Sequence, residues 1–243
     1  MNATKSENPV KTLVILLNMG GPQNKDEVHP YLKELFQDRE ILKLPFQKVL
    51  GRYIAWRRTP NIQERYEEIG QYSPTKGIMD DQSAEIAQKL DQIHPQSAPH
   101  VCVSGFRYCS PRTSEMIEQY NSAEKIILFS QYPQHSCSTS GSSFCDAYRW
   151  LDKQKDEVYR DRISVIDQWW DRSDYTELWA MLVKRKFDEM KSATGLKDKD
   201  IRIIYSAHSL PESYCTEKGD KYNEESRGSF ARFEKVLQSL GPE

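Results

Sequence analysis

The alternation of apolar and polar segments along the chain predicts an α/β protein. Residues 12–17 (TLVILL) form a short apolar run rich in β-branched side chains, which is typical of a buried strand. The run ends at a glycine turn, Asn18–Pro22, and residues 26–37 then carry apolar side chains at the spacing of one helix face. Strand, glycine-rich turn and helix in this order predict the opening unit of a Rossmann-like domain.

The same alternation continues along the rest of the chain. Further strands are predicted at residues 100–106, 125–129, 162–166 and 200–205. Further helices are predicted at residues 61–69, 81–93, 110–120, 175–191 and 224–240. Strands that alternate with helices in this way indicate parallel sheets covered by helices on both faces.

Composition and charge narrow the functional classes. Hydrophobic residues make up 37% of the 243 residues, which is enough for a core, and the net charge is −2 without a basic stripe. A nucleic-acid-binding role is therefore disfavoured. The longest apolar runs have the length of strands, so any membrane contact is expected to be peripheral. The five cysteines are odd in number, irregularly spaced and without a CxxC pair, which predicts reduced thiols and disfavours a zinc site built from this chain alone.

Unusual loops follow three of the predicted strands. They are NMGGP (residues 18–22), QYPQHSCSTSGSS (131–143) and SAHSLP (206–211). Open α/β sheets bind their ligands at the carboxyl ends of strands, so these loops are expected to carry the functional site. NMGGP lacks both the dinucleotide glycine pattern and a Walker lysine, so it indicates a tight turn rather than a nucleotide site.

Several side chains in these segments can be interpreted in two ways. His208 lies between two serines at the end of a predicted strand; a single histidine is more often structural, but this placement favours a base or a metal contact. His135 and Cys137 lie in what we expect to be an exposed, hydroxyl-rich loop, and they are either incidental or part of a metal or cluster site with partners elsewhere. Arg57 and Arg58 precede an expected proline-led helix and are either a solvated pair or a clamp for a carboxylate ligand.

Taken together, five stretches resemble the ferrochelatase family, in order and spacing, and its animal type most. They are LLNMGGP (16–22), RRTPNIQERY (57–66), GFRY (105–108), QYPQHSCSTSGSS (131–143) and SAHSLP (206–211). The resemblance implies a lyase of haem biosynthesis that inserts Fe²⁺ into protoporphyrin IX. It also implies a homodimer in peripheral contact with the matrix side of the mitochondrial inner membrane, although no transit peptide is visible in this chain.

The resemblance assigns roles to individual residues. It implies that Met19 touches the porphyrin face, that Arg58, Tyr66 and Ser73 hold the porphyrin and its propionates, and that His208 is the catalytic histidine above the macrocycle centre. Cys137 would be the first ligand of the [2Fe-2S] cluster of animal ferrochelatases. Such a cluster needs four protein ligands, and the three partners of Cys137 are absent, so a cluster is not expected here.

Two departures from the family pattern leave the function open. Ferrochelatases continue well beyond the position of Glu243, so we expect two Rossmann-like chelatase domains with the second truncated. The expected ranges are a disordered N-terminus (1–10), a first domain (11–145) and the start of a second (146–243). In addition, residues 166–175 (IDQWWDRSDY) hold no histidine where animal ferrochelatases carry one. The chain is then either a fragment of a working enzyme or a catalytically impaired paralogue that binds porphyrin or haem without turnover.

Overall fold

The computed structural model describes residues 10–70, 72–154 and 158–240, and the chain divides into two compact units. The first unit comprises Met1–Tyr132 with Cys137–Asp167, and the second comprises Pro133–Ser136 with Gln168–Glu243. The segment expected to be disordered, residues 1–10, lies outside the described residues except for Val10, which is buried in the core of the first unit. The expected domain boundary at residue 145 stays a prediction.

One parallel sheet organises the first unit. Its strands are β1 (Thr12–Asn18), β2 (His100–Phe106), β3 (Lys125–Ser130) and β4 (Ile163–Ile166), in the spatial order β2-β1-β3-β4. All pairs are parallel, and Leu17 lies opposite both Gly105 and Ser130, so three strands end at the same edge of the sheet. The predicted α/β fold and these four strand positions are confirmed.

The apolar run of β1 supplies the centre of the core on both faces of the sheet. Leu13, Ile15 and Leu17 point to one face, where the helices α4 (Thr113–Gln119) and α5 (Ser142–Leu151) cover them. Val14 and Leu16 point to the other face and pack against α3 (Thr75–Ile93). A strand covered on both faces needs apolar residues at every position, which is why TLVILL shows no alternation.

The helices α1 (Val28–Gln37) and α2 (Gln47–Glu68) pack against each other around an apolar cluster of their own. The prediction of a helix led by Pro60 was wrong, because α2 begins at Gln47 and continues through Pro60. Proline removes one backbone donor, but Ala55 and Ile62 hold the helix against α1 on both sides of that position. Arg57 and Arg58 therefore lie within a helix rather than before one.

The short helix α6 (Val158–Arg162) precedes β4.

The described part of the second unit is helical. It contains α7 (Ser173–Thr194), α8 (Glu212–Glu217) and α9 (Tyr222–Leu240), which confirms the helices predicted at 175–191 and 224–240. The predicted strand at 200–205 was wrong, since residues 201–210 have no regular structure. A strand is stabilised by hydrogen bonds to a neighbour, and no other strand lies among the described residues of this unit. No helix in the described ranges has an apolar stretch long enough to cross a bilayer.

Candidate functional site

Loops from three neighbouring strands meet at the carboxyl edge of the first-unit sheet. The backbone N–H of Arg107 donates to the carbonyl of Asn18 at 2.9 Å, and that of Tyr108 donates to the carbonyl of Met19 at 3.1 Å. From the β3 side, the hydroxyl of Tyr132 accepts the backbone N–H of Met19 at 2.9 Å. Burial raises the pKa of Tyr132 to about 12, so this phenol stays protonated at neutral pH. The Met19 loop (Met19–Pro22) is thus held from both neighbouring strands.

Both glycines of this loop are required, Gly20 by its backbone conformation and Gly21 by the close approach of another side chain. Gly20 has a φ of 79°, a left-handed conformation that glycine adopts without strain. A Cβ atom on Gly21 would collide with the side chain of Ser73. The backbone N–H of Ser73 donates to the carbonyl of Pro22 at 2.9 Å. Met19 and Ser73, both predicted as site residues, therefore belong to one group of contacting residues. We refer to the Met19 loop together with Ser73 as the loop cluster.

The other two predicted porphyrin-binding residues of the first unit lie on α2. The Tyr66 ring stacks on Tyr72 with centroids 5.3 Å apart, next to Ser73 in the sequence, and burial raises the pKa of the Tyr66 phenol. Arg58 is exposed, and its guanidinium lies 5.7 Å from the centroid of the Phe36 ring. The first unit thus presents an apolar thioether, two hydroxyl groups and an exposed cation.

The hydroxyl-rich segment before α5 differs from the exposed loop that we expected. Cys137–Gly141 form one π-helical turn that leads directly into α5, and Cys137 is half-buried at its start. Serines at 138, 140, 142 and 143 are buried. Ser140 hydrogen-bonds Ser130 at 3.0 Å, and Ser142 bonds a buried carboxylate. Hydrogen bonds inside the protein satisfy the hydroxyl groups of Ser140 and Ser142, which explains how these two polar side chains are buried, whereas the buried Ser143 hydroxyl has no hydrogen-bond partner among the described residues.

Metal ligation at Cys137 lacks support among the described residues. No group of three or more His, Cys, Asp or Glu side chains within 10–70, 72–154 and 158–240 is placed to hold a metal ion. An iron–sulfur cluster needs four protein ligands. The described side chains therefore do not supply such a ligand set, and the chemistry proposed below does not use a cluster.

His208 lies in the second unit, on the irregular segment that follows Tyr205. Its side chain is exposed, and its backbone N–H donates to the hydroxyl of Tyr222 at 3.2 Å. The two preceding residues, Ser206 and Ala207, line a cavity of about 350 Å³ whose other walls are mainly aromatic and apolar. An exposed imidazole can accept a proton or contact a metal ion at neutral pH.

A buried carboxylate, which sequence reasoning missed, lies beneath the loop cluster. Asp38 follows α1, and its Oδ2 atom accepts hydrogen bonds from Arg107 Nη2 (2.8 Å), the Tyr108 hydroxyl (2.9 Å) and the Ser142 hydroxyl (2.6 Å). Its Oδ1 atom accepts the backbone N–H of Glu40 at 2.9 Å. The GFRY motif contained the signal, because an arginine at a strand end requires a counter-charge if it is buried.

Hydrogen bonding keeps Asp38 ionised despite its burial. Burial alone would raise the pKa of this carboxyl, but the bonds from Ser142 and Glu40, the charge of Arg107 and the bond from Tyr108 together hold its pKa below the usual range. The Tyr108 phenol has its pKa raised, chiefly by burial, and it stays protonated as a donor.

Acidification is expected to weaken the first unit through Asp38. A folded-state pKa below the unfolded value contributes stability that is complete above the unfolded pKa of about 4 and is lost as the pH falls through the folded pKa. The free energy of unfolding, measured by urea titration between about pH 7 and pH 3, should therefore decrease more steeply for the wild type than for Asp38→Asn. Equal slopes for the two proteins would contradict this role of Asp38.

Comparison with known proteins gives a consistent result. The family model described as ferrochelatase matches residues 11–241. "Ferrochelatase, mitochondrial" of Gallus gallus is 40% identical over 234 residues, which are 96% of this chain and 57% of the relative. The protein of the same name from Homo sapiens is 39% identical over 232 residues, covering 95% of this chain and 53% of the relative. That of Drosophila melanogaster is 38% identical over 236 residues, covering 95% and 59%. The chain spans little more than half the length of these relatives.

Proposed function

Because the chain belongs to the ferrochelatase family, we propose that its function is the insertion of Fe²⁺ into protoporphyrin IX, a lyase reaction of haem biosynthesis. The convergence of the Met19 loop with Ser73 at the carboxyl edge of the sheet carries this proposal. This convergence supports a ligand site at the edge where open α/β sheets bind their ligands.

The side chains of the first unit suit the chemistry of a porphyrin. Met19 offers a flexible apolar thioether to the macrocycle face. Tyr66 and Ser73 each offer a hydroxyl group, that of Ser73 next to the Met19 loop, and the exposed Arg58 suits the bidentate recognition of a propionate. This set of apolar, hydroxyl and cationic groups fits an amphipathic, flat ligand with two carboxylates.

We assign the proton transfer to His208. Metal insertion requires two pyrrole protons to leave the macrocycle while the iron loses its water. The imidazole of His208 is exposed, and an imidazole nitrogen can accept such a proton. Binding the macrocycle in a bent form would expose its nitrogen lone pairs and lower the barrier, because the site then favours a geometry close to the transition state.

A second candidate function, porphyrin or haem binding without turnover, is favoured by residues 166–175. In place of a histidine, this segment has Trp169, whose ring packs edge-on against Tyr175 at 4.9 Å, and an ion pair between Arg172 and Asp174 at 3.0 Å. These groups pack and pair with one another and cannot relay a proton as an imidazole does. In this second function the chain is a catalytically impaired paralogue that still binds porphyrin or haem.

A paired assay on the purified 243-residue chain separates the two functions. Protoporphyrin is titrated by fluorescence quenching, and Fe²⁺ or Zn²⁺ is then added without oxygen while the metalloporphyrin spectrum is recorded. Saturable quenching followed by metal insertion supports the ferrochelatase function. Quenching without insertion supports the second function, and the absence of both contradicts a porphyrin role for this chain.

The same family membership supports a proposal for location and assembly. The relatives are named mitochondrial, and we propose that this protein acts at the matrix side of the mitochondrial inner membrane, as a homodimer in peripheral contact with the bilayer. Sedimentation equilibrium over a range of protein concentrations tests the dimer, which a constant monomer mass would contradict.

An apolar stripe on α2 supports the proposed membrane contact. Val49 (69% exposed), Tyr53 (58%) and Trp56 (64%) lie three or four residues apart on one face of α2, and Phe46 (84%) lies directly before the first residue of the helix. Lys48 and Arg52 line the same shallow surface. Exposed aromatic side chains flanked by cations are typical of surfaces that lie in the interface of an anionic bilayer. We refer to these four apolar residues as the α2 stripe.

Introducing negative charge into the α2 stripe is expected to release the protein from membranes. Tyr53→Glu with Trp56→Glu should lower partitioning onto phosphatidylglycerol-containing vesicles by at least about tenfold, because two apolar side chains are no longer buried in the interface. Co-sedimentation with vesicles measures the partitioning. Ile78→Glu, an exposed apolar residue on α3, is the matched control and should leave it unchanged. Equal binding by all variants would exclude the stripe as the membrane surface.

A further inference from the structure

Four buried side chains form a polar cluster beneath the Met19 loop. The Asp38 cluster consists of Asp38, Arg107, Tyr108 and Ser142, and none of these residues is more than 7% exposed. Besides their bonds to Asp38, Arg107 Nε donates to the Ser142 hydroxyl at 3.1 Å, and the Tyr108 and Ser142 hydroxyl oxygens lie 3.0 Å apart. The cluster joins the end of α1, the loop after β2 and the start of α5.

The distances make Asp38 the common acceptor of the cluster. Tyr108 and Ser142 carry one hydroxyl hydrogen each, and both hydroxyl groups lie within hydrogen-bond distance of the same Oδ2 atom, which Arg107 also contacts. Asparagine at position 38 is nearly isosteric but carries no charge. Its neutral amide cannot accept as strongly from three donors, and its NH₂ group would face a donor if it occupied the Oδ2 position.

The cluster is connected to the candidate site through the backbone of two of its members. Asp38 bonds the side chains of Arg107 and Tyr108, and Arg107 is also paired with Asp146 at 3.6 Å. The backbone N–H groups of Arg107 and Tyr108 donate to the carbonyls of Asn18 and Met19. Asp38 itself bonds none of the predicted porphyrin-binding residues in the described structure. Its influence on the Met19 loop passes through Arg107 and Tyr108.

We propose that Asp38 is a positioning residue: it anchors Arg107 and Tyr108 so that their backbone holds the Met19 loop in the conformation that binds the porphyrin. This inference rests on the proposed porphyrin site. The Asp38 cluster fixes the loop before the ligand arrives, and binding then costs less conformational entropy.

A readout that needs no porphyrin tests the positioning directly. The chain contains six methionines, and ¹³C-methyl labelling gives one resonance for each, with Met19 assigned from Met19→Leu. Asp38→Asn should shift and broaden the Met19 resonance and leave those of Met79 and Met116, in the same unit, in place. Asp91→Asn is the matched control, because Asp91 bonds His100 instead, and it should not move Met19. An unmoved Met19 resonance in a folded Asp38→Asn protein overturns the proposal.

Two milder variants keep the test valid if Asp38→Asn does not fold. Tyr108→Phe and Ser142→Ala each remove one bond to Asp38 and introduce no new donor. Both should move the Met19 resonance in the same direction. If neither variant moves it, the proposal is overturned.

Porphyrin affinity then decides whether the positioning serves binding. The Kd of Asp38→Asn for protoporphyrin should rise by roughly 10- to 100-fold, as for other residues that orient a contacting group. If the wild type binds porphyrin and the variant binds equally well although Met19 has moved, the proposal is overturned. If the wild type binds no porphyrin, the proposed function fails, and the methyl spectrum still decides whether Asp38 positions the loop.

Discussion

Replacing His208 with alanine is expected to abolish metal insertion and to leave porphyrin binding almost unchanged. His208 is exposed on an irregular segment of the second unit, so its removal creates no cavity, and within residues 10–70, 72–154 and 158–240 its recorded hydrogen bond is made by the backbone N–H. A positioned base typically accelerates proton transfer by about 10²- to 10⁴-fold, and the insertion rate should fall by a factor of that size. The Kd for protoporphyrin should stay within about twofold, because affinity is assigned to the first unit.

The control and the measurement separate catalysis from binding. Insertion rates come from the metalloporphyrin absorbance, and affinities come from fluorescence quenching of the same protein samples. His94→Ala removes another exposed histidine, at the end of α3, and should change neither value. An unchanged insertion rate in His208→Ala would exclude His208 as the base. A large loss of affinity in that variant would make it a binding residue instead.

Adding a single methyl group at Gly21 is expected to weaken both the first unit and its binding of porphyrin. A Cβ atom at this position would collide with the Ser73 hydroxyl, and it would approach the Ser73 Cβ to 2.6 Å. Because the Ser73 backbone is bonded to the carbonyl of Pro22, Ser73 cannot move away without breaking the loop cluster. Such overpacking typically costs ~1–3 kcal/mol, which corresponds to roughly 5- to 100-fold in affinity if the strain is released by moving the loop.

A matched glycine provides the control for this substitution. Gly77 lies in α3, and a Cβ atom there would meet nothing within 4 Å. Gly77→Ala should leave both the free energy of unfolding and the Kd for protoporphyrin unchanged or slightly improved, since alanine is the better helix former. If Gly21→Ala binds porphyrin as well as Gly77→Ala does, the Met19 loop and Ser73 do not form the site together.

The apolar pattern predicted the first unit well because its signals are local. TLVILL is buried on both faces, and β2 and β3 have the same short, apolar character. Two predictions were wrong because they depend on tertiary contacts, which a local pattern does not show. The apolar segment at 200–205 reads as a strand, but a strand requires a partner, and none is present among the described residues of its unit. Pro60 suggested a helix start, whereas packing against α1 keeps the helix continuous through it.

The candidate site was predictable only where a motif pointed to it. Met19 and Ser73, 54 positions apart, were connected only by the family resemblance, and the structure adds the reason, which is the contact at Gly21. The burial of Asp38 was not predicted, because an aspartate next to an arginine and a glutamate is typical of a solvent-exposed segment. Its burial depends on Arg107 and Ser142, which are far away in the chain. The hydroxyl-rich segment was expected at the surface because each serine is polar, and nothing local shows that the partners of Ser140 and Ser142 are buried.

The most direct test of the proposed porphyrin site is the methionine-methyl spectrum of the chain during titration with protoporphyrin. The macrocycle has a strong ring current, so a methyl group against its face shifts far more than one elsewhere. The proposed site predicts a saturable upfield shift of the Met19 resonance, while Met79 in the core and Met116, half-buried against it, stay in place. Saturable porphyrin binding that leaves the Met19 resonance unmoved would contradict it.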